Sequence, residues 1–187
     1  MKLALVPGAL LLAAALPASA APPNWTPVQS ASSIGFSGTH AGNTFKGTFG
    51  QWRASIRFDP ADLAHSKAAV VIATASAKTG DKFQETSLGQ AEWFNPAKFP
   101  QASFVTTKIS PAGAGRYVAD GTLTIKGKAL PVKLPFALKI NGDTATLQGE
   151  TKVDRIAYDI GAKSDPSGAW VSRQITISIN MTAKRAK

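Results

Sequence analysis

Between residues 130 and 140, apolar and polar positions alternate without a break. Leu130, Val132, Leu134, Phe136, Leu138 and Ile140 are separated by Pro131, Lys133, Pro135, Ala137 and Lys139. Successive side chains of an extended strand point to opposite faces, so this run has one apolar face and one that can meet water. Its period of two and its prolines exclude a helix. The pattern returns at Val171, Arg173, Ile175, Ile177, Ile179 and Met181. Weaker alternation predicts further strands at residues 25–28, 33–38, 45–58, 68–77, 102–109, 116–125 and 143–153, with the last strand at 171–182.

Turn signals separate most of these runs: Asp59-Pro60, Gly113-Ala114-Gly115, Lys126-Gly127-Lys128 and Asn141-Gly142-Asp143. Asn-Gly suits a hairpin turn in which both central residues take positive φ. Strands at this spacing predict an all-β antiparallel meander that closes into a barrel. Between Thr79 and Pro100 the alternation fails, and Leu88 stands five residues from both Phe83 and Trp93. A short helix followed by a loop at 95–100 is predicted there, with aromatics plugging or covering one barrel end. Within 45–58 the apolar phase changes at Gly50, where a bulge or sharp bend would re-aim the side chains.

The prolines add a constraint. Backbone groups of alternate strand residues face the same neighbour, so Pro131 and Pro135 remove donors on one side only. That side is expected to be a loosened seam or an edge, either exploited by a ligand tail or opening, or a bulge without function. The candidate barrel interior comprises Leu123, Ile125, Val132, Leu134, Phe136, Leu138, Ile175, Ile177 and Ile179. Phe36, Phe104, Phe83, Leu88, Trp93 and Phe94 are expected near its openings.

Composition narrows the class. Residues 1–20 read as a secretory signal, with Lys2, an apolar stretch through Leu16 and the small-residue site Ala18-Ser19-Ala20. The stretch is short and broken by Pro7 and Gly8, too weak for a permanent membrane span. Residues 21–187 are then a single exported domain, expected in the periplasm or outside the cell. The chain has no cysteine, so its core must suffice without disulfides. The formal charge is +10, but the lysines are spread singly and no nucleic-acid motif accompanies them. Nucleic acid is excluded as a partner on this reading, and an anionic membrane surface or acidic headgroup fits better.

Candidate chemistry is sparse. Two histidines and no cysteine give no metal-ligating pattern. His65 reads as a solvated turn residue. His40, ending a strand, either bonds a polar headgroup at the barrel mouth or bonds a loop carbonyl. No nucleophile stands with a base and an orienting acid, and the carboxylate pairs Asp154 with Asp159 and Glu85 with Glu92 have no diagnostic spacing. Arg155 and Arg173 offer guanidinium groups at the end of the apolar cavity. They would either bond a carbonyl, quinone oxygen or phosphate, or pair with Asp154 or Asp159 to hold the barrel end shut.

A set of short motifs in order resembles the YceI family of periplasmic lipid-binding proteins. The set runs Ser33-Ile34-Gly35-Phe36 with His40, Phe45-Lys46-Gly47-Thr48-Phe49 and Ile56-Arg57-Phe58-Asp59. It continues with Trp93-Phe94-Asn95, Lys98-Phe99-Pro100-Gln101-Ala102-Ser103-Phe104, Gly121-Thr122-Leu123-Thr124-Ile125-Lys126-Gly127 and Asp154-Arg155-Ile156-Ala157-Tyr158-Asp159-Ile160-Gly161. The resemblance implies an eight-stranded antiparallel lipocalin-like barrel whose interior holds a long isoprenoid lipid, either a polyprenyl lipid or ubiquinone, with no enzymatic activity or cofactor. Ser76-Ala77-Lys78-Thr79-Gly80-Asp81 and Leu134-Pro135-Phe136 are similar to the family branch associated with cytochrome b561 membrane proteins. That branch implies a quinone ligand and a separate membrane partner. The rival readings are an envelope stress or interaction protein with a solidly packed barrel and a basic binding surface, and an enzyme acting on a bound lipid with His40 or Asp159 as base.

Overall fold

The computed structural model describes residues 21–186, so the signal-sequence reading of 1–20 lies outside the described residues. The alternating runs become β1 (Asn24–Pro27), β2 (Ser33–His40), β3 (Asn43–Phe49), β4 (Trp52–Arg57), β5 (Lys67–Ala73), β6 (Ala77–Lys78), β7 (Gln101–Pro111), β8 (Arg116–Ile125), β9 (Lys128–Asn141), β10 (Thr144–Asp154) and β11 (Gln174–Arg185). One α-helix, α1 (Lys82–Leu88), fills part of the interval where alternation fails, and the Asp81 carboxylate caps it by accepting from Gln84 N–H.

All pairings are antiparallel, and they close. β11 is the closing strand: its start pairs with β2 through Thr176–Asn180 and its end with β1 through Ala183–Arg185. β1 with β2, β3 with β4, and β5 with β6 act as three long strands, each interrupted once, so the eleven ladder segments form an eight-stranded barrel. The bend expected at Gly50 falls between β3 and β4. There Gly50 N–H bonds Ser76 O and Ala73 N–H bonds Gln51 O, which carries both interrupted strands around one corner. The interruption re-aims the apolar phase, as barrel closure requires.

β9 is paired with β8 without a break from Lys128 opposite Ile125 to Ala137 opposite Arg116. Its ladder with β10 runs only from Asn141 to Phe136, opposite Gly149, and stops at Pro135. Leu138 N–H bonds Gly115 O on the β8 side. By alternation the missing donors of Pro131 and Pro135 therefore fall on the β10 side. The loosened seam is present, and the Thr151 hydroxyl crosses it to Lys133 O at 2.8 Å.

The barrel has a hairpin end and a helical end. At the hairpin end lie the turns after β4, β7 and β9. At the helical end lie the β2–β3 and β8–β9 turns, α1 with its following loop, and the long β10–β11 connection. One structural correction falls there. The last strand begins at Gln174 rather than Val171, which makes only a single bridge to His40. The residues before it turn aside because Ser172 N–H bonds Thr39 O while Arg173 O accepts from Arg155 N–H.

Candidate functional site

The inward faces enclose an apolar cavity of about 230 Å³. Its wall runs from Trp25, Phe58 and Ile109 at the hairpin end to Leu88, Trp93, Tyr158 and Ile160 at the helical end. The volume is small for a compact ligand and is spread along the whole barrel, which makes it a narrow lumen. The barrel is therefore not packed solid, contrary to the rival reading of a filled core.

Two glycines help keep the lumen hollow. Phe36 stands opposite Gly47 on β3, and its ring occupies the space that a Gly47 side chain would take. Phe104 does the same over Gly121 of β8. Each ring lies against a bare stretch of wall, an arrangement used to pin strand register, and so projects less into the interior. Phe36 then meets Phe49 at 5.1 Å and Phe49 meets Phe94 at 5.8 Å, an aromatic line leading to the loop that covers the helical end.

Most expected lumen residues are on its wall: Phe36, Phe104, Leu123, Ile125, Val132, Leu134, Phe136, Leu138, Ile175, Ile177 and Ile179, with Leu88, Trp93, Phe94 and Arg155 at the helical end. Three are not. Phe83 is 77 % exposed and, with His40, borders a vestibule of about 170 Å³ between α1 and the end of β2, which shares Phe36, Leu88 and Trp93 with the lumen wall. The short helix is tethered at its start, where Glu85 accepts from Thr79 and Gly80 N–H, and it turns Phe83 outward. Arg173, in phase with the inward residues by sequence, instead pairs outside with Asp154 at 2.7 Å. The strand ends before reaching it, so its charge stays solvated.

Arg155 sits on the wall, but its partner is neither Asp154 nor Asp159. It pairs with Asp165 at 2.6 Å, and both are buried. Its Nε donates to Ser172 O, Nη1 to Ile160 O and Gly161 O, and Nη2 to Asp165 Oδ2, Asp165 O and Val171 O. All five guanidinium donors are thereby used within the protein. The guanidinium also lies 5.7 Å from the Trp93 ring centroid. Burial pulls the Arg155 pKa down, opposed by the Asp165 carboxylate. Asp165 in turn is held below the ordinary carboxylate range, chiefly by the Val171 N–H, with Trp170, Ala169 and Arg155 adding to it.

The other candidate acids also fasten this end. Glu92 accepts from Lys163 and Ser164 N–H, Asp159 pairs with Lys128, and Lys126 donates to Ala91 O, Glu92 O and Asp159 O. His65 pairs with Asp62 on an exposed turn. Sequence reasoning missed Asp165 and Tyr158 as site residues. Asp165 sits in a polar loop ten residues from its partner. Tyr158 stood within a motif already quoted, and an aromatic three residues after a buried arginine at a strand end was the available signal.

A closed antiparallel barrel around an apolar lumen defines a lipocalin-like barrel fold. The chain belongs to the YceI-like domain family, which matches residues 25–183. It is 30 % identical over 137 residues to the protein YceI of Salmonella arizonae, covering 70 % of this chain and 71 % of that one. Among solved structures it is similar to Burkholderia cenocepacia BcnA, with TM-score 0.80, 31 % identity, and coverage of 83 % of this chain and 98 % of that one. It also shares the fold of a polyisoprenoid-binding domain from Saccharophagus degradans, with TM-score 0.63, 13 % identity, and coverage of 87 % and 98 %.

Proposed function

We propose that this protein is a periplasmic, non-enzymatic carrier or sequestering protein for one long isoprenoid lipid. The observation that carries the reading is the narrow apolar lumen running the length of the barrel. Each methylene-sized group buried there contributes about 0.8 kcal/mol, so a polyprenyl tail binds well without any charged contact. The polyisoprenoid named for the Saccharophagus domain supports the same class of ligand. Ubiquinone is the favoured member, because the guanidinium at the lumen's end has no donor left for a phosphate. A cytochrome b561-type membrane partner belongs to the same proposal through the Ser76-to-Asp81 resemblance.

The cargo's source is proposed to be an anionic membrane surface. Phe83, 77 % exposed, borders the vestibule from α1, and Trp170, 66 % exposed, precedes Val171 of its lining. Exposed Lys46, Lys82 and Lys163 stand on the elements around them. Amphipathic aromatics with neighbouring cations suit the headgroup region of a bilayer.

Native mass spectrometry and lipid extraction of freshly purified protein test the reading. A co-purifying isoprenoid, lost in Leu134→Trp, is expected. Absence of lipid, together with no binding of ubiquinone or polyprenyl phosphate, would overturn it.

A further inference from the structure

One residue of the lumen wall carries a buried polar atom that the protein leaves unanswered. Tyr158 is 2 % exposed and contributes to the wall beside Arg155, Trp93 and Ile160. Among the described residues its hydroxyl is the buried side-chain polar atom without a hydrogen-bond partner. Leaving such a group unsatisfied costs more than replacing it by a phenyl ring of the same shape. The neighbouring groups do not compete for it: the Arg155 donors are consumed by five carbonyls and Asp165, and the carboxylate is occupied by three backbone N–H groups and Arg155.

We propose that the Tyr158 hydroxyl donates a hydrogen bond to one neutral oxygen of the cargo, of the kind a quinone carbonyl presents. The cargo then lies with its oxygenated end beside α1 and the Arg155 network, and its tail toward Trp25 and Phe58. This rests on the isoprenoid-carrier reading and adds the ligand's orientation and the chemistry of its head. Three observations agree on the neutral oxygen. Apart from Arg155 the wall beside Tyr158 is formed by Trp93 and Ile160, the Arg155 guanidinium has no spare donor, and burial pushes the phenol's pKa up, which keeps it a neutral donor. A phosphate there would lose its hydration and gain one neutral hydrogen bond, so a phosphate-headed lipid would keep its head outside.

The test compares wild type with Tyr158→Phe, which removes only the orphan hydroxyl and so leaves folding intact. Binding is measured by quenching of tryptophan fluorescence with three probes: ubiquinone, the hydrocarbon polyisoprenoid squalene, and polyprenyl phosphate. One net hydrogen bond corresponds to a loss of about 3- to 10-fold in ubiquinone affinity. Squalene and polyprenyl phosphate should be unaffected by the substitution. In the infrared, the carbonyl stretch of bound ubiquinone should move to lower frequency in wild type and return in the variant. Equal ubiquinone affinity in the two proteins, or an unshifted carbonyl band, would overturn the proposal while leaving the carrier reading intact. Failure of wild type to bind any of the three would overturn both.

Discussion

At the hairpin end the lumen is closed by rings: Phe58 packs on Tyr117 at 5.3 Å, Tyr117 stacks on Phe136 at 5.5 Å, and Trp25 buries its indole with Nε1 bonded to Phe58 O. At the helical end a buried ion pair, a lysine and several carboxylates fasten three loops over the apolar layer that holds Phe94 and Tyr158. Both closures exclude water, but they fail differently. Ring packing is non-directional and indifferent to pH, and its loss scales with the area uncovered. A desolvated arginine holding five carbonyls is directional, and removing it strands every partner at once. The ionic end is thus the one that can be fully fastened or released, and it is also the end with the vestibule and the orphan hydroxyl.

The largest effect expected is from Arg155→Met, which leaves Asp165 and the carbonyls unanswered and should cost about 3–5 kcal/mol, read by urea denaturation. Phe136→Ala at the other end should cost about 3 kcal/mol, read the same way. The comparison between ends is broken if hydrogen exchange shows the same loops opening in both variants. It is sharpened if only Arg155→Met exposes the amides of the β10–β11 connection.

Acid offers the same contrast without mutation. Glu85, Glu92, Asp154 and Asp165, all at the helical end, have pKa values lowered in the fold, by the Thr79 N–H, the Lys163 N–H, the Arg173 side chain and the Val171 N–H respectively as the largest causes. A carboxyl whose folded pKa lies below its unfolded value adds stability above the unfolded value, about 4, and loses it as pH falls through the folded one. Lowering the pH from about 5 toward 2 should therefore release amide protection around residues 79–100 and 155–173 before that around Trp25 and Phe58. Simultaneous loss at both ends would contradict the division.

The smallest stability effect should come from Phe83→Ser with Trp170→Ser. Both side chains are mostly exposed, so denaturation should shift by no more than about 0.5 kcal/mol per site. Binding to vesicles containing anionic lipid should nevertheless fall several-fold. Unchanged vesicle binding would remove the membrane from the account of the helical end.

The two ends also differ in how far the sequence exposed them. A period of two marks inward and outward faces directly, so the even positions of β9 and the odd positions of β11 could be assigned from Leu134, Phe136, Ile175 and Ile177 alone. Gly50 betrayed a corner because the phase changed there. The helical end has no period to read. Asp165 was invisible because its pairing with Arg155 depends on a loop path, and Arg173 was misplaced because alternation was continued past the point where backbone bonds to Thr39 and Arg155 stop the strand. Phe83 was expected near an opening and borders the vestibule there, but its hydrophobicity gave no sign that the tether on α1 leaves it exposed.

The interrupted ladder between β9 and β10 bears on what an opened barrel would offer to a neighbouring chain. A barrel has no free edge while closed, but any parting of its wall creates two. Were the wall to part at this seam, the β9 edge would present Pro131 and Pro135 at alternate donor positions, with Lys133 between them. An edge missing half its donors and carrying a charge is a poor template for another chain. The interrupted line in the wall is therefore also a line at which an opened molecule would be poorly able to recruit a neighbour into a growing sheet.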